Sequence, residues 1–233
     1  TWDDFWLNEG FTVYFERRIM EAVYGREYSE MLAELGMQDV KETVDHLGHN
    51  HGDTHLKLEL DGRDPDEGLT DIAYEKGYFF LRTIEEAVGR EAFDAFLKSY
   101  FNSNAFKVMD TEGFIAILNN QLLTDEVLRK EVNVDAWVYG PGLPANFPKI
   151  NSARFDDVEA AVGEWMGGKP AVELETAEWT THEWLHFLRN IPSDLSTDRL
   201  ANLDNAFELT TSGNNEILAA WFQHTIRNGY TAA

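Results

Sequence analysis

The sequence predicts a mainly α-helical protein. Apolar residues cluster with helical spacing over long stretches, and the breaks between those stretches fall at glycine, proline and short polar runs. The alternation of apolar and polar residues that marks a strand is read at one short segment. A Pro/Gly cluster, Gly140-Pro141-Gly142-Leu143-Pro144 with Pro148 behind it, divides the chain into a longer leading part and a shorter trailing part.

Taken in order, the first helix runs from Phe5 to Tyr24 and stops at Gly25. The second covers Tyr28 to His46. The stretch from His46 to Asp71 is polar, broken by Gly and Asp, and reads as a loop. Inside it Leu56, Leu58 and Leu60 alternate with polar neighbours, which predicts a short extended segment. Helical pattern returns over Tyr74 to Val88, Arg90 to Phe101, Thr111 to Leu123 and, more briefly, Asp125 to Val132. Gly89 is read as a helix stop. Beyond the Pro/Gly cluster, helices are expected over about 154–166, 176–190, 196–210 and 214–227, with Ser193 and Ser196 as N-cap candidates. No clean repeat is visible, although consecutive helix pairs are able to stack as a solenoid.

With 233 residues the chain is long enough for one large or two small domains, and its 43% apolar content is ordinary for a globular protein. No run reaches the roughly 18 apolar residues of a membrane span. The absence of cysteine excludes disulfides and thiolate chemistry. The 42 acidic residues outnumber 19 basic ones, for a formal charge of -23, which argues against nucleic acid as a partner because phosphates require a basic face. A solvated acidic surface explains the charge, and a salty milieu fits it too. There is no phosphate-binding glycine loop, nucleophile elbow or Cys/His pair.

The chemistry-bearing residues begin at once. Thr1-Trp2-Asp3-Asp4-Phe5-Trp6-Leu7-Asn8-Glu9-Gly10-Phe11 places a carboxylate, Glu9, inside an aromatic-rich segment, where a charge is costly unless it is paired or bound to a metal. A lone Glu on an amphipathic helix is ordinarily a surface residue; here the length of the string carries the reading. It resembles the segment that supplies the third zinc ligand in the M1 family of zinc aminopeptidases. There H-E-x-x-H gives two histidine ligands and the Glu of W-L-N-E-G follows about 18 residues later. The second matching segment is Ala73-Tyr74-Glu75-Lys76-Gly77, similar to the family's Y-E-K-G, whose Tyr donates to the reacting carbonyl oxygen. The ordinary alternative for Tyr74 is a packing residue.

The resemblance implies Glu9 as a zinc ligand and Tyr74 as the catalytic proton donor. Glu16, seven residues after Glu9 on the same helix face, is placed as an outer partner of a histidine ligand, or else as a surface Glu paired with Arg17 or Arg18. Asp64-Pro65-Asp66 resembles a D-P-D of the leukotriene A4 hydrolase branch, which makes Asp66 a substrate-pocket carboxylate; the alternative is a turn with solvated acids. Leu69 stands where eukaryotic members of that branch have a second Tyr, which weakens any implied epoxide hydrolase activity. Asn205-Ala206-Phe207-Glu208 and Asn214-Asn215-Glu216-Ile217 resemble that branch's helical C-terminal domain.

The implied fold is the helical half of a thermolysin-like catalytic domain, residues 1–140, a Pro/Gly linker, 141–150, and part of an armadillo-like α-helical domain, 151–233. The implied activity is zinc-dependent removal of N-terminal residues from peptides. The zinc site is expected to be incomplete within these residues, since the H-E-x-x-H helix and an α-amine-binding strand would precede Thr1. On that expectation the missing N-terminal part of the same enzyme is a partner, and the isolated chain is inactive. The alternatives are a non-catalytic helical binding module of the same fold and a bifunctional epoxide hydrolase/aminopeptidase. The sequence leaves the compartment open between cytoplasm, taken first, and periplasm or export.

Two histidine-containing segments remain. His182-Glu183-Trp184-Leu185-His186 is a literal H-E-x-x-H, but it follows Glu9, and no Glu stands about 19 residues beyond it, where Asn205 is found. It is read as an amphipathic helix of the trailing domain. The run from His46 to His55 is read as a surface loop able to bind a metal only adventitiously.

Overall fold

The computed structural model describes residues 1–231. Among them there are eleven α-helices, several 3-10 turns, one π-helical turn and no strand, so the fold is mainly α as the sequence predicts. The chain forms two compact units. The first comprises Thr1–Ser29 and Gly36–Ile150, and the second Glu30–Leu35 and the residues from Asn151 onward.

In the first unit, α1 (Trp6–Tyr24) ends at Gly25 and α2 (Arg26–Leu47) at Gly48. Gly25 and Gly48 both have positive φ, the backbone state that an L side chain resists and that lets a helix stop abruptly. No strand forms over the segment expected to be extended, where 55–57 is a bend, but the alternation itself is borne out in burial. Leu56, Leu58 and Leu60 are buried while Glu59 is exposed, and the Lys57 and Leu58 amides donate to the Val138 and Asp3 carbonyls.

The helix expected over Tyr74–Val88 starts earlier and in a different form. Ile72–Lys76 is a π-helical turn, and α3 (Gly77–Val88) follows it. The Gly77 amide reaches back five residues to the Ile72 carbonyl, which widens the backbone at Tyr74. Next come α4 (Arg90–Asn104), α5 (Thr111–Gln121), α6 (Glu126–Val132) and α7 (Val134–Val138). The last was not anticipated, because Asn133 takes the left-handed conformation, closes α6 and opens a further turn.

α1 packs against the π turn and α3. Trp6 anchors this core: its ring meets Phe80 and Phe114, and its indole N–H donates to Thr111 Oγ1 at 3.1 Å. The buried Asp4 carboxylate accepts from Lys57 Nζ at 2.6 Å and from the Thr111 amide at 3.0 Å. Burial raises its pKa, but the bonds from Lys57, Thr1 and Thr111 outweigh burial and hold it well below the usual carboxylate range.

The second unit is built from α8 (Ala153–Met166), α9 (Thr181–Asn190), α10 (Thr197–Phe207) and α11 (Asn215–Asn228). Trp165, Phe187, Leu200, Leu203 and Trp221 form the centre of its core. The helix expected over 176–190 is shorter at its start, because Thr180 caps α9 in a reciprocal box with Glu183. That expected over 196–210 ends at Phe207, where Glu208 turns left-handed. Ser196 is the N-cap of α10, accepting from the Arg199 amide; Ser193 is not a cap, and its carbonyl accepts from Asn228.

Candidate functional site

Glu9 lies in the first turn of α1, half-buried, with Oε1 accepting from the Asn8 side chain at 2.9 Å. Among the described residues no basic side chain pairs with it. Tyr74 lies in the middle of the π turn, its ring edge-to-face with Phe5 at a centroid separation of 6.4 Å. Two glycines bring these segments together. A Cβ added to Gly10 would lie 2.9 Å from the Gly77 backbone, and one added to Gly77 would lie 2.9 Å from Gly10 Cα. The α1 and π-turn backbones are therefore in contact one residue beyond Glu9 and three beyond Tyr74. Burial raises the Tyr74 pKa, and the charges of Glu9 and Asp71 raise it further, so the phenol keeps its proton at neutral pH.

The residues around Tyr74 lock the π turn. Glu75 receives a bidentate pair from Arg17 of α1, both bonds at 2.9 Å. Burial pulls the Arg17 pKa down, but the Glu75 carboxylate pulls it up further, and the guanidinium stays charged above the Tyr78 ring. Gly36 of α2 leaves the space the Glu75 carboxylate occupies, since a Cβ there would overlap it. Lys76 is fully buried, and its Nζ donates to the Thr54 carbonyl at 2.7 Å and to the Gly140 carbonyl at 3.0 Å. Of this segment the sequence singles out only Tyr74. The signal for the rest was a charged pair, Glu75-Lys76, inside an apolar run.

The other predicted site residues lie apart from this pair. Glu16 is exposed on α1, and neither Arg17 nor Arg18 is its ion-pair partner: Arg17 holds Glu75, and Arg18 holds Asp94 with two bonds of 2.9 and 3.0 Å. Asp66 is exposed in the 3-10 turn Pro65–Gly68, its amide capped by Asp64 Oδ1. A groove of about 470 Å³ lined by Asp39, Thr43, His46, Leu69 and Asp71 opens beside the π turn, but neither Glu9 nor Tyr74 lines it.

The profile of the Peptidase family M1 domain matches residues 1–137, more than half of the chain. The chain belongs to peptidase family M1. The Leukotriene A4 hydrolase, C-terminal profile matches residues 179–233. Among curated proteins, the chain is similar to leucine aminopeptidase 2 of Aspergillus terreus, at 40% identity over 71% of this chain and 27% of that protein. It is also similar to the leukotriene A-4 hydrolase homolog of Botryotinia fuckeliana, at 31% identity over 95% of this chain and 35% of that protein. A solved structure of yeast LTA4 hydrolase in complex with bestatin matches 99% of this chain and 41% of that one, with a TM-score of 0.87 at 25% identity. The M1 chain thus spans about a quarter to two-fifths of the length of these relatives.

The literal H-E-x-x-H of the second unit is not built as a zinc motif. Arg154 holds both oxygens of Glu183 at 2.9 Å, and the same carboxylate caps Thr180. His186 is buried, whereas His182 lines a separate shallow groove with Asn214 and Glu216. In the histidine loop, His49 pairs with Asp45 at 2.9 Å and His51 Nδ1 accepts from the Asp53 amide, so neither is directed at a common point.

Proposed function

We propose that this chain supplies the third zinc ligand and the phenolic donor of an aminopeptidase site. The observation that carries the reading is the Gly10–Gly77 contact, which sets the Glu9 and Tyr74 segments against each other. Glu9 suits one ligand position, as a half-buried carboxylate steadied by Asn8 and, among the described residues, with no basic partner. Zinc at such a site takes three protein ligands, so the remaining two must come from residues other than these.

Bound there, zinc would polarise a peptide carbonyl and acidify a water. The residues of this chain then do the following. Glu9 holds its ligand position. Tyr74 donates its O–H to the carbonyl oxygen as negative charge grows on it, and its raised pKa keeps that proton in place. Arg17 and Glu75 fix the π turn, so the phenol is aimed before substrate arrives. Asp66 is assigned to the substrate channel and Glu16 to the outer side of a histidine ligand on resemblance alone, and their exposure gives no geometric support for either. The substrates are peptides with a free N-terminus. Leu69, half-exposed on the groove beside the π turn, offers no hydroxyl for epoxide chemistry.

Two measurements test this. The 233-residue chain alone should not hydrolyse leucine arylamides. Grafted in place of the matching segment of Aspergillus terreus leucine aminopeptidase 2, it should restore hydrolysis, and Tyr74→Phe in that chimera should lower kcat at least about 100-fold with little change in KM. A folded, zinc-loaded chimera in which Tyr74→Phe keeps full activity would remove Tyr74 from the reaction.

A further inference from the structure

In the second unit, three side chains that the peptidase reading does not use converge. Glu34 lies on the part of α2 that belongs to this unit, Glu159 on α8 and His186 on α9. One ligand atom from each lies within 4.8 Å of the other two. We propose that Glu34, Glu159 and His186 form a binding site for a divalent transition-metal ion of the zinc class, separate from the Glu9 position.

The two carboxylates repel each other at this distance, on a chain that already carries a formal charge of -23. A cation among them removes that cost. His186 is 1% exposed, and its ring lies parallel to Phe155 at 3.9 Å, which fixes the plane in which its nitrogens point. Its Nε2 is 3.2 Å from Glu159 Oε1 and 3.2 Å from the Asn190 amide nitrogen, which also bonds the His186 carbonyl at 2.9 Å. The single lone pair of an unprotonated Nε2 faces this same space, and a cation there takes the place of the proton that the imidazole otherwise shares with Glu159.

Glu34 is 8% exposed, and its Oε2 takes the Ser152 amide at 2.8 Å, the kind of outer bond that orients a carboxylate ligand. Ser152 is itself buried, and among the described residues its hydroxyl has no partner. Glu159 is 55% exposed and gives the ion an entry path with room for water. Zinc bonds to imidazole and carboxylate of about 2.0–2.2 Å call for donor separations of about 3.4 Å, which small side-chain rotations supply from the observed spacing. One imidazole with two carboxylates suits zinc, cobalt or manganese better than calcium or magnesium.

The test is calorimetric titration of the chelator-treated 233-residue chain with zinc chloride, repeated for Glu159→Gln, Glu9→Gln and a His49→Ala/His51→Ala double variant. Glu159 is a surface residue, so its amide variant should fold, and a matching circular dichroism spectrum checks this. The expected result is one zinc per chain, weakened at least about tenfold by Glu159→Gln and unchanged in the other two variants. Zinc should raise the melting temperature of the wild type and not of Glu159→Gln. Absence of zinc binding up to millimolar concentration overturns the proposal and leaves the His186–Glu159 contact as an ordinary hydrogen bond. Binding that survives Glu159→Gln overturns it as well: loss with Glu9→Gln would place the ion at the peptidase position, and loss with the double variant would place it in the histidine loop.

Discussion

Lys76 is fully buried and, among the described residues, has no carboxylate against it. Two carbonyls receive its ammonium, those of Thr54 and Gly140, and these bonds tie the π turn to two loops of the first unit. Burial pushes its pKa down to about 7, from an ordinary 10.5. Between those two values the unfolded chain binds a proton that the folded chain does not. Stability therefore rises with pH across this window, by at most about 1.4 kcal/mol per pH unit, and the full penalty stands below pH 7. Above pH 10 the sign reverses, because buried Tyr100, raised to about 12, gives up its proton more readily when unfolded. Urea unfolding at pH 7, 8 and 9 should show wild-type stability rising relative to Lys76→Met. That variant loses the pH-dependent term and leaves two carbonyls unpaired, at a cost of about 1–3 kcal/mol each. Parallel curves for the two proteins would mean that the lysine does not titrate in this range. The charged pair Glu75-Lys76 inside an apolar run is the sequence's one signal of this, and it does not say which side chain turns inward.

At the level of elements, the proposed Glu9–Tyr74 site depends on how closely α1 approaches the π turn. Gly10→Ala would put a methyl 2.9 Å from the Gly77 backbone, and no flexible side chain is there to yield. Overpacking of this kind costs about 1–3 kcal/mol. In the chimera, Gly10→Ala should also lower kcat more than its stability loss explains, because it moves the Glu9 segment away from Tyr74. Gly163→Ala, at a helical position with open space around it, is the control. Equal effects of the two substitutions would show that the close approach is not what aims the site. Glu75→Gln should cost about 3–5 kcal/mol, since it leaves Arg17 charged and buried with half of its partner gone. Helices α1 to α5 were legible because apolar spacing and positive-φ glycines such as Gly25 and Gly89 write their course and their ends into the chain. The π turn was not, because a five-residue hydrogen-bond step has no composition of its own. Nor was α7, whose five residues follow a left-handed asparagine. Glu9 and Tyr74 stood out through long matching strings; the contact between their segments rests on two glycines that sequence alone gives no reason to pair.

For the molecule as a whole the dominant electrostatic fact is the imbalance of 42 acidic against 19 basic residues. Many of the basic groups are already committed. Arg63 clamps Asp53 and Glu67, Arg90 clamps Glu21 and Glu85, and Arg154 clamps Glu183. Most of the carboxylates left over are exposed and face solvent and one another. Salt acts on the two populations in opposite directions. It weakens exposed ion pairs, each worth about 0.2–1 kcal/mol, and it relieves the mutual repulsion of the excess acids. The buried Arg17–Glu75 pair lies largely out of its reach. Raising sodium chloride from 10 to 150 mM shortens the screening length from about 30 Å to about 8 Å. That range covers repulsion spread over a unit but barely touches pairs in contact near 3 Å. Repulsion should therefore dominate the response, and the melting temperature should rise by several degrees across this range, measured at pH 7.5 in chelator-containing buffer so that no metal contributes. A melting temperature that falls with salt would mean that the clamped pairs, rather than the unpaired acids, set the stability of this chain.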